Sequence, residues 1–501
     1  MPQVPQLQPL SPQPVEPPPA ALARSQSSGS QSAGLQSAGL QSAGAKSAAV
    51  YMTRLAGWGA NRYSESRYRE PETSGQVRAW LRAASVEGVT SISRGLGRSY
   101  GDAATNGGGQ VLGMTHLSRY LAFDDATGTL TCEAGVSLEQ IIQHFTPRGW
   151  FPMITPGTKY VTVGGCIAND VHGKAHHAQG SFSTCVESMT ILLANGEVVT
   201  ASRTENPDLF WASFGGMGLL GIVLTATLQL RRIETTYFRQ QAFRVRNLEE
   251  MLSVLDAQDQ QFPYSVATLD VFAKGAALGR GVITVGDHVS LEQLPTPLRG
   301  DPLKGAPTRR LTLPFRLPEF TLNPLSMRVV NAAIQAIQSG ARPFGHFEGF
   351  FYPLDMISHW NRGYGRRGFT QYQFVIPFQD GVRRMRDILT AIFSAGELPF
   401  LNVLKRMGKA SASPLSFPAE GYTLAIDFPI RQNTAALCKR LDALVLEAGG
   451  RIYLGKDSFL DAATFHAMYP QAKGWLETKA KYDPHGVFTS DLARRVGLTL
   501  D

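Results

Sequence analysis

Three glycine-rich stretches, spread over about 130 residues, constrain this chain more than any other feature of its sequence. The first reads Arg94-Gly95-Leu96-Gly97-Arg98-Ser99-Tyr100-Gly101-Asp102 and is followed by Asn106-Gly107-Gly108-Gly109. The second runs from Pro156 to Lys174, and the third from Phe214 to Val223. Small residues let the backbone approach a ligand closely and adopt positive φ, so successive N–H groups can face a pyrophosphate. Three such stretches far apart in the chain suit an extended ligand held by several loops, which describes a dinucleotide better than a mononucleotide. A nicotinamide-type Rossmann unit is not expected. That signature needs a strand, a G-x-G-x-x-G turn and then a helix, and here Tyr100 and Asp102 stand where the helix should start.

A chain of 501 residues is too long for one compact core, so two or more folded units are expected. Residues 1–50 are crowded with Pro, Gln and Ser and repeat a Gln-Ser-Ala-Gly-Leu unit, which predicts a disordered low-complexity tail. Residues 51–232 carry helical patterns at Val77–Ala84 and Leu138–His144. Between and after these lie short β-branched runs at Gly88–Ser93, Gly128–Ala134, Ser188–Leu193 and Ile222–Leu230. Residues 233–456 predict strands at Tyr264–Phe272, Gln371–Ile376 and Tyr422–Phe428, separated by helices at Val382–Ala395 and Thr434–Ala448. That order suggests an antiparallel sheet covered on one face. Residues 457–501 read as short helices returning to the first unit. The stretch at about 286–325 is rich in Pro and Leu and holds Arg299, Lys304, Arg309, Arg310 and Arg316, which predicts a mobile loop. The fold class is therefore α+β.

Cys132, Cys166, Cys185 and Cys438 are too scattered for a zinc module or a disulfide scaffold. No apolar run approaches the roughly 18 residues of a membrane-spanning helix, and the N-terminus lacks a basic region followed by an apolar one. Neither a transmembrane segment nor a signal peptide is expected, which suits a cytoplasmic protein or one peripheral at the cell membrane. The net charge of +8 admits nucleic acid, an anionic membrane surface or a phosphate-bearing ligand. No nucleic-acid partner is expected, because no RNP, zinc-finger or helix-turn-helix signature accompanies the charge and acidic residues are interspersed with the basic ones.

These residues also carry a resemblance. Arg94–Asp102, Pro156–Lys174 and Gly215–Val223 resemble the FAD-binding domain of the vanillyl-alcohol oxidase, or PCMH-type, flavoprotein superfamily. Tyr372–Pro377, Phe400–Val403, Pro414–Pro418, Lys456–Ser458, Phe465–Pro470 and Ser490–Arg495 narrow the similarity to the oxidising subunits of decaprenylphosphoryl-β-D-ribose 2'-epimerases. The similarity runs from about Thr53 to Leu498. It implies a two-domain fold, an FAD-binding domain plus a substrate domain with an antiparallel sheet, and hydride transfer from a secondary carbinol carbon to flavin N5.

Many members of the superfamily bond the flavin to a histidine just before the Ser of the first loop. Arg98 occupies that place, so non-covalent FAD is implied. The resemblance assigns Ser93, Arg94, Gly95, Leu96, Gly97, Arg98, Ser99, Tyr100, Gly101, Asp102 and Ala103 to the pyrophosphate. It sets Gly157, Thr162, Val163, Gly164, Gly165, Asn169, Asp170, Val171 and His172 beside them. Gly215, Gly218 and Val223 fall on the adenine or ribose side, and Tyr453 near the isoalloxazine.

Lys456 matches the family's active-site lysine, an amine that partial desolvation equips to take or relay a proton; for a lone lysine the plain reading is a solvated surface charge. His172 matches a histidine at the flavin edge, with a buried structural histidine as the competing reading. Tyr100, Gln371, Gln373 and Lys405 match positions that face substrate, the glutamines for ribose hydroxyls and Lys405 for a phosphate. Asn361, Arg362 and Tyr364 fall in a segment that reads as a lid or a surface loop. Ala425 and Thr423 stand where mycobacterial members place Cys and Asn.

The implied reaction oxidises the 2'-hydroxyl of a polyprenylphosphoryl-β-D-ribose to the 2'-keto sugar. This is the first half of epimerisation to the arabinose donor for cell-wall arabinan, and a separate NADH-dependent short-chain reductase completes it. The alternative is a soluble sugar, polyol or aldonolactone oxidase that releases hydrogen peroxide. The positive charge then matches an anionic membrane surface, with Lys405 and the stretch Leu291–Leu325 as the expected places of contact.

Overall fold

The computed structural model describes residues 51–305, 311–340, 342–397, 399 and 401–500. The expected low-complexity tail and the pair Arg309 and Arg310 lie outside the described residues.

Among the described residues three larger sheets and one two-stranded pair organise the chain. In the first, Tyr51–Ala56 pairs antiparallel with Tyr63–Arg69, which continues in parallel through Gln110–Gly113 to Ser91–Arg94. The second is antiparallel, in the order Tyr120–Asp124, Thr129–Glu133, Ile222–Arg232, Val186–Leu192 and Val198–Ser202, and the short strand Trp150–Pro152 adds to Ile222–Arg232. Ile222–Arg232 alternates buried with half-buried positions along most of its length, the period-two pattern of a strand with one face in the core. Helix Leu138–Phe145 opens on a capping box in which Ser137 and Gln140 satisfy each other's backbone N–H groups.

After Arg232 the chain enters an eight-stranded antiparallel sheet. Its order is Arg342–His346, Tyr237–Val245, Gly281–His288, Tyr264–Leu269, Asn402–Met407, Gly421–Pro429, Phe369–Ile376 and Arg451–Ile452. Gln371 pairs directly with Asp427, Gln373 with Ala425, and Lys405 with Thr423. Because side chains alternate along a strand, these six share one face. Tyr372, Phe374, Leu404, Leu424, Ile426 and Phe428 share the other and join the main core with Met385, Leu389, Leu437 and Leu441 of helices Gly381–Ser394 and Thr434–Glu447. Each large apolar side chain buried this way contributes about 1.5–3 kcal/mol. All nine residues of Gly421–Pro429 are buried, so the polar face is covered as well.

The stretch expected as a loop at about 286–325 overlaps the end of strand Gly281–His288. It then proceeds through turns and a two-residue strand, Leu311–Thr312, that pairs in parallel with Ile357–Ser358, and ends in helix Pro324–Gln338. The last helices, Ala462–Met468, Ala472–Tyr482 and Asp491–Val496, bring the chain back to its first sheet. Ser91 N–H donates to the Val487 carbonyl at 2.7 Å. Arg495 forks onto Asp102 at 2.6 and 3.0 Å and reaches Asp457 at 2.6 Å.

Candidate active site

The polar face of the large sheet and the three glycine-rich stretches enclose one cleft of about 800 Å³. Its size is that of a cofactor or substrate site. One wall is backbone from Ser93–Tyr100, Val161–Thr162 and Gly164–Gly165, with Met217, Gly218 and Val223. Arg94 staples its loop by donating to the carbonyls of Ala104 at 3.0 Å and Ala56 at 2.7 Å. Gly95 is packed so closely on Thr162 that a β-carbon there would collide with its hydroxyl, which ties the first loop to the second. Thr162 in turn caps helix Val163–Ala168. Arg98 lies over the Trp58 ring at 3.8 Å and near Tyr160 at 5.3 Å, and burial lowers its pKa.

The opposite wall concentrates titratable groups. Lys456, half-buried at the end of a turn from Tyr453, sets its Nζ 3.7 Å from the centre of the Tyr100 ring. Burial lowers the pKa of Lys456 to about 7; Asp427 works against that shift and Lys405 with it. Burial likewise brings Lys405 to about 8 and Lys174 to about 7. Lys174 Nζ donates to the carbonyls of Phe350 and Phe351, and Lys405 Nζ donates to that of Gly173. Asp427 is fully buried and accepts from Tyr364 Oη at 2.8 Å and Gln371 Nε2 at 2.5 Å. Burial raises its pKa to about 6.

His172 is kept neutral by burial and by the nearby Lys405, and its Nε2 lies 3.0 Å from Gln373 Nε2. With Gln373 donating, His172 accepts at Nε2 and carries its proton on Nδ1, which has no partner among the described residues. Gln373 also donates to Thr423 Oγ1 at 3.3 Å, which fixes its amide from the other side. Tyr453 stacks on Phe417 with ring centres 4.7 Å apart and donates to the Asn169 carbonyl.

Of the residues the sequence singled out, the cleft brings together Ser93 through Tyr100, Ala103, Gly157, Thr162, Gly164, Gly165, Asn169, Val171, His172, Gly218, Val223, Tyr453, Lys456, Gln371, Gln373, Lys405 and Ala425. It does not bring in Gly101, Asp102, Val163, Asp170, Gly215, Asn361, Arg362 or Tyr364. Each of these has structural partners instead. A β-carbon on Gly101 would strike the Asp457 carbonyl, and one on Gly215 the Leu415 carbonyl. Asp102 is taken by Arg495, and Asp170 accepts from Ser181, Ser183 and Ser416. Val163 is core, Asn361 donates to the Trp58 carbonyl, and Arg362 donates to the carbonyls of Leu313 and Pro314. Tyr364 stacks on Phe369, packs in one cluster with Tyr100 and donates to Asp427. The sequence reading missed Asp427 and Lys174. A single charge inside the apolar run Tyr422–Ile430 was the available signal for the first.

Comparison with known proteins agrees with this geometry. Residues 66–202 match the FAD binding domain family, and residues 366–496 match the D-arabinono-1,4-lactone oxidase family. The decaprenylphosphoryl-β-D-ribose oxidase of Mycolicibacterium smegmatis is 42% identical over 89% of this chain and 97% of its own. The chain belongs to the decaprenylphosphoryl-β-D-ribose oxidase family. Solved structures add the fold. Cholesterol oxidase from Brevibacterium sterolicum superposes with a TM-score of 0.65 at 14% identity, covering 90% of this chain and 98% of that one. Xylooligosaccharide oxidase from Myceliophthora thermophila gives 0.61 at 16% identity, covering 85% and 91%. Like other members of the decaprenylphosphoryl-β-D-ribose oxidase family, the chain is an FAD-dependent oxidoreductase of the PCMH-type fold.

The cleft fits that cofactor. At Gly157 a β-carbon would project into open space, and Gly218, at φ +75°, adopts a conformation that a side chain would strain. The glycines thus leave backbone bare where a dinucleotide needs close approach, and the unpartnered His172 Nδ1 remains for a ligand acceptor. Among the described residues no helix is long and apolar enough to cross a membrane.

Proposed function

We infer that this protein oxidises the 2'-hydroxyl of a polyprenylphosphoryl-β-D-ribose to the 2'-keto sugar, with FAD held non-covalently. The observation that carries this reading is the clustering of three lysines with burial-lowered pKa values, Lys456, Lys405 and Lys174, in the same cleft as the glycine loops. The M. smegmatis relative's name specifies the sugar and lipid. In this reading residues 51–232, closed by 457–501, hold FAD, and residues 233–456 hold the substrate.

When bound, FAD supplies the two-electron acceptor for the hydrogen leaving the carbinol carbon. The rest is done by the chain. Lys456, about half neutral near pH 7, accepts the hydroxyl proton. Tyr100 packs against the Lys456 ammonium and limits its reach. Gln371, braced by Asp427, and Gln373, braced by Thr423 and His172, hold ribose hydroxyls. Lys405 and Lys174 face the phosphate. An NADH-dependent reductase would consume the ketone, and an anionic membrane surface would present the lipid to an enzyme peripheral to it. The Arg98 side chain forms no bond to a flavin methyl, so acid precipitation should leave a colourless pellet; a yellow one overturns non-covalent binding.

Anaerobic bleaching of the flavin by polyprenylphosphoryl ribose in detergent, with no bleaching by free ribose, is the expected result. The match of residues 366–496 to the lactone oxidase family favours a second reading, a soluble sugar or lactone oxidase. Rapid peroxide release with simple polyols or lactones would establish that one instead.

A further inference from the structure

Helix Pro324–Gln338 is built the wrong way round for a helix facing water. Of its 15 residues only Met327 is buried, yet most are apolar, Arg328 is the sole charge and there is no acidic residue. Its polar side chains point inward. Asn331 donates to Asp270 at 2.9 Å, and Gln338 accepts from Thr268 on the sheet. Four of its apolar ones point outward: Leu325 is 74% exposed and Val329 63%, and Ala332 and Ala336 are exposed in the same stripe. The spacing i, i+4, i+7, i+11 puts all four on one face. An ordinary surface helix shows the reverse pattern. The chain leading in adds Phe320, 78% exposed, whose carbonyl accepts from the helix's N-cap Asn323, and two further exposed apolar residues, Leu311 and Phe315.

Two further observations identify what covers it. Arg316 and Arg328 are exposed along this segment, and the nearest acid on it, Glu319, is already paired with Arg367. The patch is therefore apolar with a cationic border, the chemistry of an anionic bilayer surface. The helix's other side is also continuous with the active-site cleft, which Val330 and Ile334 line.

We propose that helix Pro324–Gln338, with Phe315 and Phe320, docks this protein on an anionic lipid bilayer through the Leu325, Val329, Ala332 and Ala336 stripe. The helix then lies between the bilayer and the cleft, so a prenyl chain passes from one to the other along a single apolar element. Only that last consequence rests on the lipid-linked substrate; the docking surface stands on the helix itself.

The test uses the full-length, FAD-loaded protein and sedimenting vesicles, either phosphatidylglycerol with phosphatidylcholine or phosphatidylcholine alone. Wild type should sediment with the anionic vesicles and less with the neutral ones. L325E/V329E should lower the bound fraction about tenfold while reducing its flavin with a short-prenyl, water-soluble substrate at the wild-type rate. Val329→Trp should shift its emission to the blue on the anionic vesicles. Vesicle binding unaffected by L325E/V329E, or no emission shift, overturns the proposal. So does a wild-type dimer that the double variant converts to monomer without loss of vesicle binding, because the patch would then join two copies of this chain. Failure of the short-prenyl substrate with both proteins would remove the substrate reading and leave the docking result intact, since vesicle sedimentation contains no substrate.

Discussion

At the scale of single residues, the site turns on how Asp427 and Lys456 influence one another. Lys456 works as a base only when neutral, so flavin reduction should rise with pH through about 7. Asp427 favours the ammonium form. Asp427→Asn removes that influence, lowers the lysine's pKa further, and should move the rise to more acidic pH by about half a unit or more. A stopped-flow pH profile of flavin reduction checks this, and a shift to alkaline pH would contradict it. Lys456→Ala should keep FAD bound, with an unchanged visible spectrum, while reduction falls by about 10²–10⁴. Lys405, brought down to about 8 by burial, loses its charge as pH rises past that value. Affinity for a phosphate-bearing substrate should therefore weaken above about pH 8 in wild type, and Lys405→Met should raise KM below about pH 8, by a margin that shrinks at higher pH, with little change in FAD retention. Lys456, Tyr100, Gln371, Gln373 and Lys405, which line the cleft, were legible in the sequence because they sit inside or within two residues of recognisable motifs. Asp427 was not, because its meaning depends on a cross-strand partner, Gln371, 56 residues away.

Among the elements, helix Ala472–Tyr482 shows how the glycine stretches are held. Lys479 is buried, and its Nζ donates to the Leu219 carbonyl at 2.8 Å, the Phe488 carbonyl at 2.9 Å and Asp483 at 2.8 Å. Leu219 belongs to the third glycine-rich stretch, so one ammonium ties that stretch to the end of the chain. Asp483→Ala would leave the ammonium without its counter-charge. A cost of about 3–5 kcal/mol follows, read as a fall in the denaturation midpoint; a variant as stable as wild type would show that the carbonyls alone suffice. Three of the eight strands of the large sheet, Tyr264–Leu269, Phe369–Ile376 and Gly421–Pro429, were readable from their β-branched and aromatic runs, and helices Gly381–Ser394 and Thr434–Glu447 from their period. The strand order was not. Asn402–Met407 lies between Tyr264–Leu269 and Gly421–Pro429, a placement set by side chains meeting across more than a hundred residues. Helix Pro324–Gln338 escaped notice because apolar residues lie on several of its sides, Met327 in the core, Val330 and Ile334 at the cleft and Leu325 and Val329 outward, which blurs the single stripe that periodicity looks for.

For the whole molecule, the excess of positive charge acquires a location. Part of it lines a cleft with lysines that burial holds near neutrality, and part borders an exposed apolar patch. The two should respond differently to salt: vesicle association should fall as ionic strength rises, whereas FAD retention, which rests on buried contacts, should not. Parallel titrations of the two with sodium chloride check this. The other molecular-scale feature is the return of the last helix to the first loop, where Arg495 grips Asp102 across 393 residues of sequence. A ribosome delivers the glycine loop long before it delivers Arg495. A nascent chain therefore cannot clamp Asp102 at the end of that loop until Arg495 has emerged, 393 residues later.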